Sequence, residues 1–294
     1  MLSAAFVFFF QISSSQPLMD TSLFLPGSTP KLISRQFSFT EGPAADKEGN
    51  VFFTDQPNNT IWKYTTDGSL QKFSDSAGRA NGLYFDKQGN LIACADEHNQ
   101  LWKFDKAGNV TVLLSNYMGK QLNGPNDLWV HPNGGIYFTD PYYQRSYWKR
   151  KAPDLAEQNV YYLPNDKQEA IVVIRDLKKP NGIIGTPDGK WIYVADIGDG
   201  KTFRYPVKED GSLGEGSLFV AMGSDGMTID ERGNVYLTGQ GITVFNPAGQ
   251  QIAHIPVPEK WTGNVTFGGR QRNQLFITAS EGVYVLDMNV KGAN

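Results

Sequence analysis

One pattern recurs six times along this chain. A residue bearing a side-chain oxygen leads a short apolar segment, a turn rich in Gly, Asp and Asn follows, and a second apolar segment comes next. Glu41-Gly-Pro-Ala-Ala-Asp46 precedes Asn50-Val-Phe-Phe-Thr-Asp55, and Asn81-Gly-Leu-Tyr-Phe-Asp86 precedes Asn90-Leu-Ile-Ala-Cys94. Asn126-Asp-Leu-Trp-Val-His131 precedes Gly135-Ile-Tyr-Phe-Thr-Asp140, and Asn181, Asp225 and Asn264 open the remaining three units. The six leads are spaced by 40, 45, 55, 44 and 39 residues. Repeats of roughly 40 to 45 residues are those of propeller blades, and six units are enough to close a ring. Alternating apolar segments with hairpin turns read as β-meanders. The expectation is therefore an all-β, six-bladed propeller of four-stranded antiparallel blades. Little chain follows Val283-Tyr-Val-Leu-Asp287, so residues 31–37 are expected to supply the outermost strand of the last blade. Such closure removes an exposed sheet edge.

Composition agrees with many short strands joined by tight turns: 31 Gly, 16 Pro and 13% aromatic residues. The net charge is −3, and Lys and Arg are scattered, so no basic stripe exists for nucleic acid. Cys94, the one cysteine, lies in an apolar run and reads as a buried, inert thiol. The apolar run at residues 2–10, followed by Ser13 to Ser15, resembles a secretory signal and is too short for a transmembrane span. Residues 1–20 are accordingly set apart from a single domain over 21–294. The expected location is periplasmic or secreted, with the cytoplasm as the alternative; the oligomeric state is left open.

The first strand of a propeller blade lies nearest the central channel, so the six leads should face one another around the axis. Every lead carries a side-chain oxygen, and two are carboxylates. A hard divalent cation takes six to eight such oxygens. Ca²⁺ fits best; Mg²⁺, Mn²⁺ and Zn²⁺ stay open, Zn²⁺ disfavoured because no His or Cys is among the leads. The competing reading is turn chemistry, since Asn-Gly and Asp-Gly tolerate positive φ. Glu41 is a poor turn residue, and neither Asn126 nor Asn264 precedes Gly.

Asp55, Asp96, Asp140 and Asp196 end second strands, where the chain returns to the same face. For these, turn formation is the favoured role. His98 lies just beyond a second strand and is a candidate substrate or proton-relay residue. The connection from Pro141 to Gln158 holds Tyr142, Tyr143, Tyr147 and Trp148 among basic residues, and should overhang the mouth, with Tyr142 a substrate contact.

Phe39-Thr-Glu-Gly-Pro43, Arg79-Ala-Asn-Gly82, Leu122-Asn-Gly-Pro-Asn-Asp127, Tyr137-Phe-Thr-Asp-Pro141, Lys179-Pro-Asn-Gly182 and Ser224-Asp-Gly-Met227 stand in an order and spacing that together are specific. On these motifs the sequence resembles the gluconolactonase, regucalcin (senescence marker protein) and luciferin-regenerating-enzyme family, and most of all its bacterial and fungal gluconolactonase branch. The resemblance implies metal ligation by Glu41, Asn126, Asn181 and Asp225, with Asn126 also serving substrate. It leaves Asn81 and Asn264 beside the ion or against the substrate. The regucalcin branch carries an Arg two residues before its third-blade Asn; here that position is Gly124, and Arg79 or Arg145 would have to substitute.

The function that follows is metal-dependent opening of a sugar lactone to its hydroxy acid, with Asp225 as general base and Glu41 as the fallback. Two alternatives remain: a metal-stabilised propeller acting only as a binding module, and a paraoxonase-like esterase or phosphotriesterase.

Overall fold

The repeat folds into six antiparallel sheets of four strands each, in a computed structural model that describes residues 19–293. The first blade is Thr40–Ala45, Val51–Asp55, Thr60–Tyr64 and Leu70–Ser74; the second is Ala80–Phe85, Leu91–Ala95, Gln100–Phe104 and Val110–Leu114. Leu128–Val130, Pro180–Gly185 and Met227–Ile229 begin the third, fourth and fifth. The sixth blade runs Thr262–Gly268, Gln274–Ala279 and Gly282–Asp287, and its fourth strand is Lys31–Ser34 from the other end of the chain. Lys31 pairs with Val285 and Leu32 with Tyr284, so the expected latch is present. The strand is shorter than the sequence suggested. Phe37 leaves it to pack edge-on against Phe53 and Trp62, at 5.2 and 5.5 Å.

Burial falls from the axis outward. Pro180–Gly185, an innermost strand, is buried throughout, whereas the outer strand Ile171–Ile174 begins exposed and becomes buried only at Ile174. An inner strand has other blades on both faces and an outer one meets water, so inner segments read as continuous apolar runs. The first hairpin turns share one chemistry. The Asp46 carboxylate accepts from the Glu48 and Asn50 amides, and Asn50 Nδ2 returns to Asp46 at 2.8 Å. Asp86 with Asn90 and Asp230 with Asn234 repeat the arrangement. Gly49 holds its turn at φ +89°, a conformation that costs a residue with a Cβ.

Threonines in the second strands bind blade to blade. Thr54 Oγ1 donates to the Asn81 carbonyl, Thr139 Oγ1 to that of Asn181 at 2.8 Å, and Thr238 Oγ1 to that of Gly263 at 2.8 Å. Each anchors the inner strand of the next blade beside its lead residue. Cys94 is fully buried, and desolvation pushes its thiol well above the ordinary range, as befits an unreactive core residue. Among the described residues no helix is long and apolar enough to cross a membrane, and the signal-like segment lies outside them.

Candidate active site

The six leads form a closed circle. The Gly82 amide donates to the Asn126 carbonyl at 2.7 Å, and Thr139 ties the third blade to Asn181. A Cβ placed on Gly42 would lie 2.0 Å from the Asn81 carbonyl oxygen, and one on Gly226 would lie 1.9 Å from Asn264 Cγ. Glycine at these positions is thus required by close approach of neighbouring blades, not by turn geometry alone. Glu41, Asn81, Asn126, Asn181 and Asn264 are 2 to 5% exposed, and Asp225 is partly exposed.

Within the circle, Glu41 and Asp225 feel one another. Burial raises the Glu41 carboxyl well above the usual range, and the charges of Asp225 and Asp127 raise it further. Burial raises Asp225 to about 6, offset by hydrogen bonds from Trp261 and Asn181 and by the Arg145 charge. Trp261 Nε1 donates to Asp225 Oδ2 at 2.5 Å. Asn181 Nδ2 donates to the Tyr143 hydroxyl at 3.1 Å, while Asn181 Oδ1 is buried without a hydrogen-bond partner. Two mutually repelling acids beside an orphaned amide oxygen are a costly arrangement that a cation would relieve. Among the described residues no three His, Cys, Asp or Glu side chains cluster as a metal site, so any cation here depends on amide oxygens as much as on carboxylates. The donor set of Glu41, Asn126, Asn181 and Asp225 fits a hard ion.

Asn264 turns the other way. Its Nδ2 donates to Asp127 Oδ2 at 3.4 Å. Both residues line a cavity of about 320 Å³ walled also by Leu83, Leu128, Ile183 and Val265, a cavity that Glu41, Asn181 and Asp225 do not line. Asn81 contributes its carbonyl to the interblade bond from Thr54.

Three of the four aspartates that end second strands have a shared task. Asp55 accepts from the Ser38 and Phe39 amides, Asp140 from Asn123 and Gly124, and Asp196 from Lys178 and Lys179. In each case the bonded amides lie three and two residues before the lead. These carboxylates fix the turn that delivers Glu41, Asn126 or Asn181 to the axis. Asp96 departs from the rule and holds the long connection instead: Arg145 Nε pairs with it at 3.1 Å, Tyr147 donates to the same oxygen, and Trp148 Nε1 donates to its carbonyl.

The connection does overhang the mouth, but through Tyr143 more than Tyr142. Tyr142 donates to Gln144 and carries Arg150 over its ring, while Tyr143 touches Asn181. Burial and the Asp225 charge push the Tyr143 phenol up to about 12. A Cβ on Gly124 would lie 2.9 Å from both Asp96 and Trp148, so this connection fills the place of a longer side chain. Arg145 is the arginine within electrostatic reach of Glu41 and Asp225. Arg79 lies over the Tyr147 ring, pairs with Glu97 and donates to the Pro57 carbonyl, so it braces the rim. His98 is exposed and stacks on Trp102 at 4.9 Å. Trp261 and Asp127 are site residues the sequence alone did not single out. Trp261 stands three residues before a lead, and only tertiary contact directs it to the neighbouring blade's Asp225.

The chain is similar to known proteins in sequence and fold. Residues 39–281 match the family model described as SMP-30/Gluconolactonase/LRE-like region. A gluconolactonase of Zymomonas mobilis is 29% identical over 307 aligned positions, covering 93% of this chain and 85% of that protein. A solved structure of a gluconolactonase from Xanthomonas campestris superposes with a TM-score of 0.86 at 28% identity, over 94% of this chain and 96% of that one. A calcium-binding regucalcin from Agrobacterium tumefaciens shares the fold, with a TM-score of 0.76 at 20% identity over 90% and 95% of the two chains. With its motifs, its ring of leads and a family match across most of its length, the chain belongs to the SMP-30/gluconolactonase/LRE-like family.

Proposed function

We propose that this protein hydrolyses a sugar lactone to its hydroxy acid at the mouth of the propeller, with one divalent cation, Ca²⁺ by preference, held by Glu41, Asn126, Asn181 and Asp225. The lactone-hydrolysing class is supported by the gluconolactonase relative, by a lactonohydrolase of Aspergillus oryzae and by the Xanthomonas gluconolactonase. The observation that carries the site is the convergence of Glu41, Asp225 and the unpartnered Asn181 Oδ1. The calcium-binding neighbour supports the choice of ion. When bound, the cation supplies positive charge that polarises the lactone carbonyl and stabilises the oxyanion.

The residues of the chain do the rest. Asp225 takes a proton from water as the water oxygen bonds to the carbonyl carbon, and returns it to the ring oxygen as the carbon–oxygen bond of the lactone breaks. Its Oδ2 accepts from Trp261, which orients the carboxylate. Asp225 suits this better than Glu41, whose burial and two acidic neighbours favour its protonated form unless a cation is present. Arg145, fixed by Asp96, offsets the negative charge of the circle. Asn-rich walls favour a hydroxylated substrate over an apolar ester.

The test is acid release by pH-stat from a panel of sugar and aliphatic lactones, using chelated protein with and without Ca²⁺. Cation-dependent release from sugar lactones is expected. No release from any lactone with any divalent cation would leave a binding module in its place. Export from the cytoplasm is a separate proposal, tested by the compartment in which the mature protein fractionates.

A further inference from the structure

The walls of the mouth carry an unspent positive charge. Lys179 lies in the bend that leads into the strand Pro180–Gly185, two residues before Asn181. Tyr143 spans the two: its hydroxyl takes the bond from Asn181 Nδ2, and Lys179 Nζ lies over its ring, 4.4 Å from the centroid. Arg145 lies near the same ring at 5.4 Å, but its charge is matched by Asp96. Lys178 and Lys201 both pair with Asp199. Lys179 is half-buried and, among the described residues, has no carboxylate within ion-pair distance. Its backbone is fixed, because Asp196 accepts from the amides of both Lys178 and Lys179.

A partly desolvated ammonium is costly, and a cation–π contact of about 0.5–2 kcal/mol offsets only part of that cost. An anion arriving with the substrate would offset the remainder.

We propose that Lys179, seated on Tyr143, is an anion-recognising position that directs the site toward lactones bearing a negatively charged substituent, such as a phosphate, sulfonate or second carboxylate on the sugar. The proposal rests on the lactone-hydrolysing reading. A cation held at the axis would neutralise the two carboxylates of the circle, and Lys179 reads the far end of the substrate.

The experiment compares kcat/KM for gluconolactone and for gluconolactone 6-phosphate in the wild-type protein, Lys179→Met and Lys179→Arg, each loaded with Ca²⁺. The wild type is expected to favour the phosphorylated lactone. The ratio of charged to neutral kcat/KM should fall about 10-fold in Lys179→Met, the scale of one charge-assisted hydrogen bond, and should be largely retained in Lys179→Arg. Raising the salt concentration should lower the ratio in the wild type and leave it level in Lys179→Met. Using a ratio cancels any general loss of folding or turnover in a variant. An equal change for both substrates, or wild-type turnover of the neutral lactone with no preference for the charged one, overturns the inference while the lactonase reading stands. Turnover of neither lactone overturns both.

Discussion

Asn181 shows how much one side chain can settle at this site. An amide offers a donor and an acceptor; Tyr143 and Asp225 take the donor side, and the buried oxygen is left without a partner. Asp225, on the neighbouring blade, has one oxygen already bound to Trp261. Replacing Asp225 by Asn keeps an acceptor for Trp261, so the variant should unfold at nearly the wild-type temperature while turnover falls by about 10²–10⁴-fold, the usual contribution of a general base. Acid release and thermal unfolding measured side by side check this. Glu41→Gln removes one of two like charges. In chelator the variant should be at least as stable as the wild type at neutral pH, yet gain much less on adding Ca²⁺, because stability here is exchanged for ion binding. Thermal shift with and without the ion distinguishes these outcomes.

The strand-ending aspartates act at the level of the element. Asp140 accepts at 2.8 Å from the amides of Asn123 and Gly124, with both partners buried or nearly so, and thereby fixes the approach to Asn126. In Asp140→Asn an amide NH₂ must face one of those donors. The expected loss is about 1–3 kcal/mol, with weaker cation affinity because Asn126 is no longer held in place. Chemical denaturation and calcium titration measure the two effects. The connection from Pro141 to Gln158 depends on the one aspartate with a different task. Asp96 grips Arg145, Tyr147 and Trp148, so the loop is clamped to the second blade although it grows from the third.

Closure and charge belong to the whole molecule. Lys31–Ser34 completes the sixth blade, and removing residues 31–37 would open the ring and uncover the Gly282–Asp287 edge. That deletion should broaden the unfolding transition and promote aggregation, which calorimetry and light scattering would show. Around the axis, Glu41, Asp127 and Asp225 all hold protons to higher pH than ordinary carboxylates, Asp127 to about 7 and Asp225 to about 6. Burial is the first cause for each. The cation-free folded state therefore binds protons that the unfolded chain releases near pH 4. Its stability should fall as pH rises from about 4 through about 7, and Ca²⁺ should reverse that slope. A series of melting temperatures with chelator and with ion reads the sign directly.

The amino-acid sequence by itself determined the number of blades, the identity of the six leads and the closing strand. Each is a matter of period and residue type repeated along one dimension, and repetition makes a local signal unambiguous. Thr54-Asp55 and Thr139-Asp140 were visible as a recurring dipeptide, but not their division of labour, the threonine reaching the next blade and the aspartate its own approach turn. Tertiary structure alone decided the parts that cross between blades. Trp261 serves Asp225, Asn264 meets Asp127 across the channel, Tyr143 rather than Tyr142 reaches Asn181, and Arg79 and His98 stay at the periphery. These partners are separated by tens to more than a hundred residues, and the ring's curvature, which no local pattern encodes, brings them within a hydrogen bond of one another.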